Sequence, residues 1–230
     1  NKEILIACSE INNKLIKISY YCNEMEIERE ANYSIVEIVN LVKDESLKKI
    51  THIQACSDER VVIAFESKQI FIYQNTENFT NFKNAKLLYK EQSEIIGLNY
   101  NEEIDVLVVS SKTSSNVKLL KLKSESLEIY NTKHEDTSIK SVALSNKLLV
   151  TSGCDGSLNV AKFNDEMKLE HIYSVNNFFN KNANIDDKTI LNSISINNSS
   201  TICCGGKKLL RKSLEIQDNV QWKQTAARLR

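Results

Sequence analysis

The chain has 230 residues, with 41% hydrophobic and 26% charged, and its thirty basic residues balance thirty acidic ones. That composition fits one all-β domain or two small domains with a sizeable core, and the neutral balance excludes a global pull towards nucleic acid or anionic lipid. No apolar run approaches the ~20 residues that span a bilayer, so no membrane partner is expected.

The N-terminus, Asn1-Lys2-Glu3-Ile4-Leu5-Ile6-Ala7, lacks the basic and long apolar regions of a signal peptide. It also lacks an initiator Met, so the expectation is a chain that begins inside a longer product or after a removed tag. Glu3 to Ser9 and Lys14 to Ser19 read as two strands of a blade whose first strand is missing, within a partial unit over 1–49. Ser34 to Ile50 places apolar residues at Ile35, Ile38, Val39 and Val42. This spacing fits a helix, and an outer strand with a long connection fits equally.

From Ile50 a unit of four strand-like runs recurs. The first has Ile50–Cys56, Val61–Phe65, Gln69–Tyr73 and Lys86–Tyr89. The second has Glu94–Tyr100, Val106–Ser110, Asn116–Leu122 and Leu127–Tyr130. The third has Ser138–Leu144, two strands flanking Asp155-Gly156, and Lys168–Tyr173. The last has Ile190–Ile196, Thr201–Cys204 and Lys208–Leu210, with Gly205-Gly206 read as a hairpin turn. The opening markers Thr51, Ile95, Ile139 and Ile190 lie 44, 44 and 51 residues apart. Four short strands per ~44 residues is the spacing of a propeller blade. The predicted blades cover about 50–91, 94–131, 138–175 and 190–218, and 219–230 is a C-terminal tail with the only tryptophan, Trp222.

The clearest segment is Leu148 to Val160, where Asp155-Gly156 separates two apolar runs and predicts a tight hairpin turn needing positive φ. Proline is absent, so other turns rest on Asn, Ser, Asp and charged residues. Six cysteines form no Cys-x-x-Cys pair. Reduced, mostly buried thiols are expected, which favours a nuclear or cytoplasmic compartment.

Thr151-Ser152-Gly153-Cys154-Asp155-Gly156-Ser157-Leu158-Asn159-Val160 resembles the second-to-third-strand hairpin of WD-repeat propellers. The resemblance implies an all-β, WD-repeat-type β-propeller of four-stranded blades, divergent and incomplete as given. It also implies a buried network in which a His before the first strand is linked to the turn Asp, with a Ser or Thr and a Trp completing it. His134 stands 21 residues before Asp155, Thr151 takes the hydroxyl position, and Ala161 stands where the family has Trp. The closing Trp-Asp pair is absent from every unit.

Over roughly 50–223 the order of features resembles the N-terminal propeller of the acidic nucleoplasmic DNA-binding protein, or chromosome-transmission-fidelity, family of replisome adaptors. The stretches that carry this are Lys68–Tyr73, His134–Val160, the Asn-rich Asn176–Asp187, Lys207–Lys212 and Trp222-Lys223. The resemblance implies a nuclear, non-enzymatic hub that couples helicase and polymerase subunits, with much of the partner binding in a second propeller outside this chain. Propeller subunits of vesicle coats or of translation initiation share the same syntax, and a propeller enzyme is the remaining alternative.

His134, Thr151 and Asp155 are the nearest approach to a Ser/His/Asp catalytic set, and the expectation is structural support rather than catalysis. His52 and His171 lie singly in strand-like runs. Glu102-Glu103, Glu135-Asp136 and Asp186-Asp187 fall in loops as solvated acids. Cys203-Cys204-Gly205-Gly206-Lys207-Lys208 lacks the phosphate-loop spacing. Lys207, Lys208, Arg211 and Lys212 are candidate contacts to DNA phosphates. No catalytic residue, metal ligand or cofactor is expected.

Overall fold

A computed structural model describes residues 2–9, 14–21, 34–40, 49–56, 60–75, 82–134, 138–145, 147–175, 191–196, 201–206, 211–215 and 224–227. Among them there is no helix, so none long and apolar enough to cross a membrane. The chain forms two compact units, Asn1–Gln92 and Ser93–Arg230.

In the first unit, β1 (Lys2–Ser9), β2 (Lys14–Tyr21) and β3 (Ser34–Asn40) form an antiparallel sheet in that order. Over Ser34–Asn40 the segment left open between helix and strand is therefore a strand, and 41–48 lie outside the described residues. A bulge explains its misleading spacing: Lys17 pairs with Glu37 but Ile18 pairs with Ile35, so Val36 is an extra residue. One inserted residue stretches the apolar interval from two to three, which imitates a helical period. β4 (Ile50–Ala55), β5 (Arg60–Phe65), β6 (Gln69–Asn75) and β7 (Phe82–Lys90) form a four-stranded sheet in chain order.

The second unit holds three four-stranded antiparallel sheets, each ordered as the chain runs. They are β8 (Ile95–Asn101), β9 (Val106–Ser111), β10 (Asn116–Lys121), β11 (Ser126–Asn131); then β12 (Ile139–Ser145), β13 (Leu148–Gly153), β14 (Leu158–Phe163), β15 (Leu169–Val175); then β16 (Leu191–Ile196), β17 (Thr201–Gly206), β18 (Arg211–Glu215), β19 (Gln224–Ala227). Every link is a consecutive pairing, as short connections and right-twisted hairpins dictate.

Two expectations change in the last sheet. Gly205-Gly206 is not a turn: both residues end β17, where Gly205 pairs with Arg211 and Gly206 with Leu191. The described third strand is Arg211–Glu215, and Lys208–Leu210, read as that strand, lie outside the described residues. Within the stretch read as a tail, Gln224–Ala227 forms β19 and pairs with β18.

The middle strands explain why one blade is insufficient. β9 and β13 are buried at all six of their positions. A strand buried on both faces needs a layer on each side. For β13 these layers are the two neighbouring sheets of the second unit. Val106, Val108, Val117 and Leu119 pack with Ile139, Leu149, Ala161 and Phe163 in one cluster. Val150, Leu158 and Val160 pack with Ile194 and Ile202 in the other. Near the start of each blade a polar tie is added, Asn99 Nδ2 donating to the Val142 carbonyl (3.0 Å) and Ile194 N–H donating to Ser141 Oγ (3.3 Å).

Candidate functional site: a buried network at a blade turn

The β13–β14 connection uses Asp155-Gly156 differently from the expected two-residue turn. Gly156 N–H donates to the Gly153 carbonyl and Gly153 N–H to the Ser157 carbonyl, both at 3.1 Å. Only Gly156 is left-handed, at φ 74°, while Asp155 is not among the positive-φ residues. This is a three-residue loop, a β-turn followed by a left-handed glycine. Negative φ at Asp155 frees its side chain to turn back. Its Oδ1 accepts the Ser157 N–H (2.9 Å) and the Ser157 hydroxyl (2.6 Å), the self-capping geometry of an Asx turn.

His134 arrives from the β11–β12 connection and is buried. Its Nδ1 lies 2.6 Å from Ser157 Oγ and its Nε2 2.9 Å from Thr151 Oγ1. The Nδ1 to Asp155 Oδ1 distance is 3.8 Å, too long for a hydrogen bond. The His and Asp expected to be linked are therefore bridged by Ser157, which the sequence reading did not single out. The signal was present, since Asp-x-Ser in a turn places the hydroxyl beside the carboxylate. Thr151 stands where expected, and Ala161, in the Trp position, is buried in the core cluster instead.

Donor counting fixes the direction of this chain. An ionised Asp155 only accepts, so Ser157 must spend its one proton on it. Ser157 Oγ then accepts from His134 Nδ1–H, while Nε2 faces the Thr151 hydroxyl on the other side of the ring. Burial pushes the Asp155 carboxyl up, but the adjacent His134 and the Ser157 hydroxyl and amide outweigh it, so its pKa lies below the usual carboxylate range. Gly153 is part of the design, because a Cβ there would sit 2.4 Å from Asp155 Oδ1 and 2.6 Å from His134 Nδ1.

The lowered Asp155 pKa has a definite sign. Its contribution to stability is fully present above the unfolded Asp value of about 3.9 and is lost as pH falls through the lower folded value. Urea midpoints followed from about pH 6 to about pH 3 should fall more steeply for the native chain than for Asp155→Asn. Equal slopes would remove the carboxylate from the network.

The other candidates are dispersed. His171 is exposed on β15, with Nε2 2.7 Å from Ser174 Oγ, and His52 lies on β4. Glu102 and Glu103 are exposed in the β8–β9 turn, while 135–136 and 186–187 lie outside the described residues. So do Lys207 and Lys208; Arg211 and Lys212 lie on β18. Cys56 and Cys154 are not in disulfides, and no His/Cys/Asp/Glu group among the described residues is arranged to hold a metal. An open cavity of about 260 Å³ is lined by Glu103, Ile104, Asp105, Lys121, Lys123, Ser124 and Met167. Asp105 accepts there from Tyr100 Oη (2.7 Å) and Lys123 N–H (2.9 Å), and Lys121 pairs with Glu128 (2.5 Å).

Repeated four-stranded antiparallel sheets, stacked through apolar faces and pinned at a blade turn, define a β-propeller fold. Solved structures agree. A chain in the crystal structure of the mitotic checkpoint complex matches over 76% of this chain and 49% of its own, with TM-score 0.55 and 9% identity. The computationally designed Ika8 protein matches over 93% of this chain and 58% of its own, with TM-score 0.55 and 14% identity. This chain thus spans about half the length of the solved chains it matches. No protein-family model and no curated protein matches the sequence.

Proposed function

We propose that this chain is a non-enzymatic scaffold that presents loops at the blade ends to partner proteins, each held by a few anchor residues. The observation that carries this is the wiring of the Ser157–His134–Asp155 set. A hydrolytic nucleophile gives its proton to a histidine that an acid orients. Here the serine proton goes to Asp155, the histidine points its own N–H at the serine, and the ring is buried. The group stiffens a turn, and a stiff turn is what a docking surface needs. The charges lining the open cavity are likewise engaged within the chain at Asp105 and Lys121.

Among assemblies, the order of features favours a nuclear replisome adaptor in DNA replication and chromosome maintenance, with helicase and polymerase subunits as partners. The neighbour from a mitotic checkpoint complex is itself part of a multi-protein assembly. Lys207, Lys208, Arg211 and Lys212 would add weak contacts to DNA phosphates. The test is an affinity pull-down of the full-length protein from nuclear extract with nuclease added. Helicase or polymerase subunits are expected. Coat or ribosomal components alone would overturn the replisome assignment and leave the scaffold, and recovery of no partner would overturn both.

A further inference from the structure

Two hairpin loops of the second unit are built alike. In the β13–β14 loop, Gly156 N–H donates to the Gly153 carbonyl and Gly153 N–H to the Ser157 carbonyl. In the β14–β15 loop, Met167 N–H donates to the Asn164 carbonyl and Asn164 N–H to the Lys168 carbonyl, both at 2.9 Å. The left-handed position is Gly156 in the first, at φ 74°, and Met167 in the second, at φ 61°. Glycine adopts that backbone freely, whereas a Cβ there crowds the following carbonyl oxygen. Asp105 is also left-handed, at φ 49°, but its carboxylate accepts from Tyr100 Oη and the Lys123 N–H. A thioether offers no such compensation. A strained residue kept where glycine would serve points to a use for its side chain.

Met167 lines the open cavity of about 260 Å³, where three turns from two sheets meet. Ile104, from the β8–β9 turn, packs on the core cluster and supplies a second apolar wall. The β10–β11 turn supplies Lys123 and is tied to the β8–β9 turn through the Asp105 carboxylate. The charges around the mouth divide into two kinds. Lys121 is paired with Glu128 and Lys168 with Glu166. Glu103 and Lys123 are exposed, and among the described residues neither side chain has an ionic or hydrogen-bonding partner. The cavity therefore joins apolar walls to one negative and one positive group at its rim.

We propose that this cavity seats a single apolar side chain from an exposed segment of a partner protein, with a basic neighbour over Glu103 and an acidic neighbour over Lys123. Size argues for one projecting side chain. Pockets that enclose small molecules run from about 300 to 1,000 Å³, and this one is smaller and open. The rim argues for a segment carrying both signs of charge, because complementary charges fix orientation. Glu103 and Asp105 together repel a phosphate backbone. A flexible thioether wall adapts to the side chain it receives. This assignment deepens the scaffold reading above and rests on it.

The test uses the full chain and four fluorescent, end-blocked peptides centred on Lys-Leu-Glu, Glu-Leu-Lys, Lys-Leu-Lys or Glu-Leu-Glu within glycine-serine flanks. Saturable binding, read by anisotropy, is expected for a mixed-charge peptide, about fivefold tighter than for the like-charged ones. Glu103→Lys should move the preference to Glu-Leu-Glu, and Lys123→Glu to Lys-Leu-Lys. Met167→Gly should raise the denaturant midpoint by relieving the left-handed backbone, yet weaken peptide binding at least about fivefold. The Met167 methyl, one of only two methionine methyls in the chain, should shift in the NMR spectrum during titration. No saturable binding at millimolar peptide, unchanged preferences in the charge variants, or an unmoved Met167 methyl overturns the proposal. A lowered midpoint for Met167→Gly also overturns it, by assigning the side chain to packing. An equal methyl shift with N-acetyl-leucinamide overturns it in favour of a small ligand, and a concentration-dependent dimer dissolved by Met167→Gly in favour of a second copy. Where these results fail and the nuclear-extract pull-down still recovers partners, the cavity assignment falls and the scaffold reading stands.

Discussion

Gly153→Ala is expected to destabilise the chain by about 3 kcal/mol, at the upper end of overpacking costs. The added methyl would stand 2.4 Å from Asp155 Oδ1 and 2.6 Å from His134 Nδ1, in space that no heavy atom can share. Side-chain ends often yield cheaply, but these two are held. Asp155 is fixed by two bonds from Ser157, and His134 by Ser157 and Thr151. Moving either one breaks hydrogen bonds as well as packing. Denaturant midpoints measured for Gly153→Ala beside the Asp155→Ala/Gly153→Ala double variant would separate the two contributions. If the smaller Asp155 side chain does not relieve at least part of the cost, the close approach is not its origin.

His134→Ala is expected to cost about 2–4 kcal/mol, since it removes the ring bonded to the buried Thr151 hydroxyl and to Ser157 Oγ and opens a cavity. Thr151 and Ser157 are themselves buried. A member of a wired group should not add independently to its neighbours. The combined effect of His134→Ala and Ser157→Ala should therefore fall short of the two single effects by about 1 kcal/mol or more. Strict additivity would show that the imidazole and the hydroxyl are merely adjacent. The proton direction is testable separately, because a neutral ring protonated at Nδ1 has a distinct nitrogen spectrum from the Nε2–H form.

The blade repeat was legible wherever a strand is buried by neutral apolar side chains. Val61–Phe65, Val106–Ser110 and Leu148–Val150 announce themselves because both faces are covered and no polar alternation interrupts them. Legibility failed where pairing rather than burial makes the strand. β19 is Gln-Thr-Ala-Ala, with no large apolar residue, and only its partner β18 makes it a strand. Gly205-Gly206 misled because glycine marks a turn by conformational freedom yet also continues a ladder at little steric cost. β3 was ambiguous because its bulge shifts the period. At the site, the residue types were readable and the connectivity was not. His134, Thr151 and Asp155 follow from spacing, whereas the bridging role of Ser157 depends on a carboxylate turning back by two residues.

The β12–β15 sheet has no face of its own. Leu149, Ala161 and Phe163 belong to the cluster shared with the preceding sheet, and Val150, Leu158 and Val160 to the cluster shared with the following one. The second unit is therefore a linear array in which nearest-neighbour interfaces, rather than single sheets, carry the stability. Loss of the β12–β15 sheet would open both shared clusters at once, whereas loss of either neighbouring sheet would open only one of the two. Opening of the β12–β15 sheet should therefore disturb both clusters as one cooperative event. The blade with the most constrained turn is thus also the one whose order its neighbours inherit.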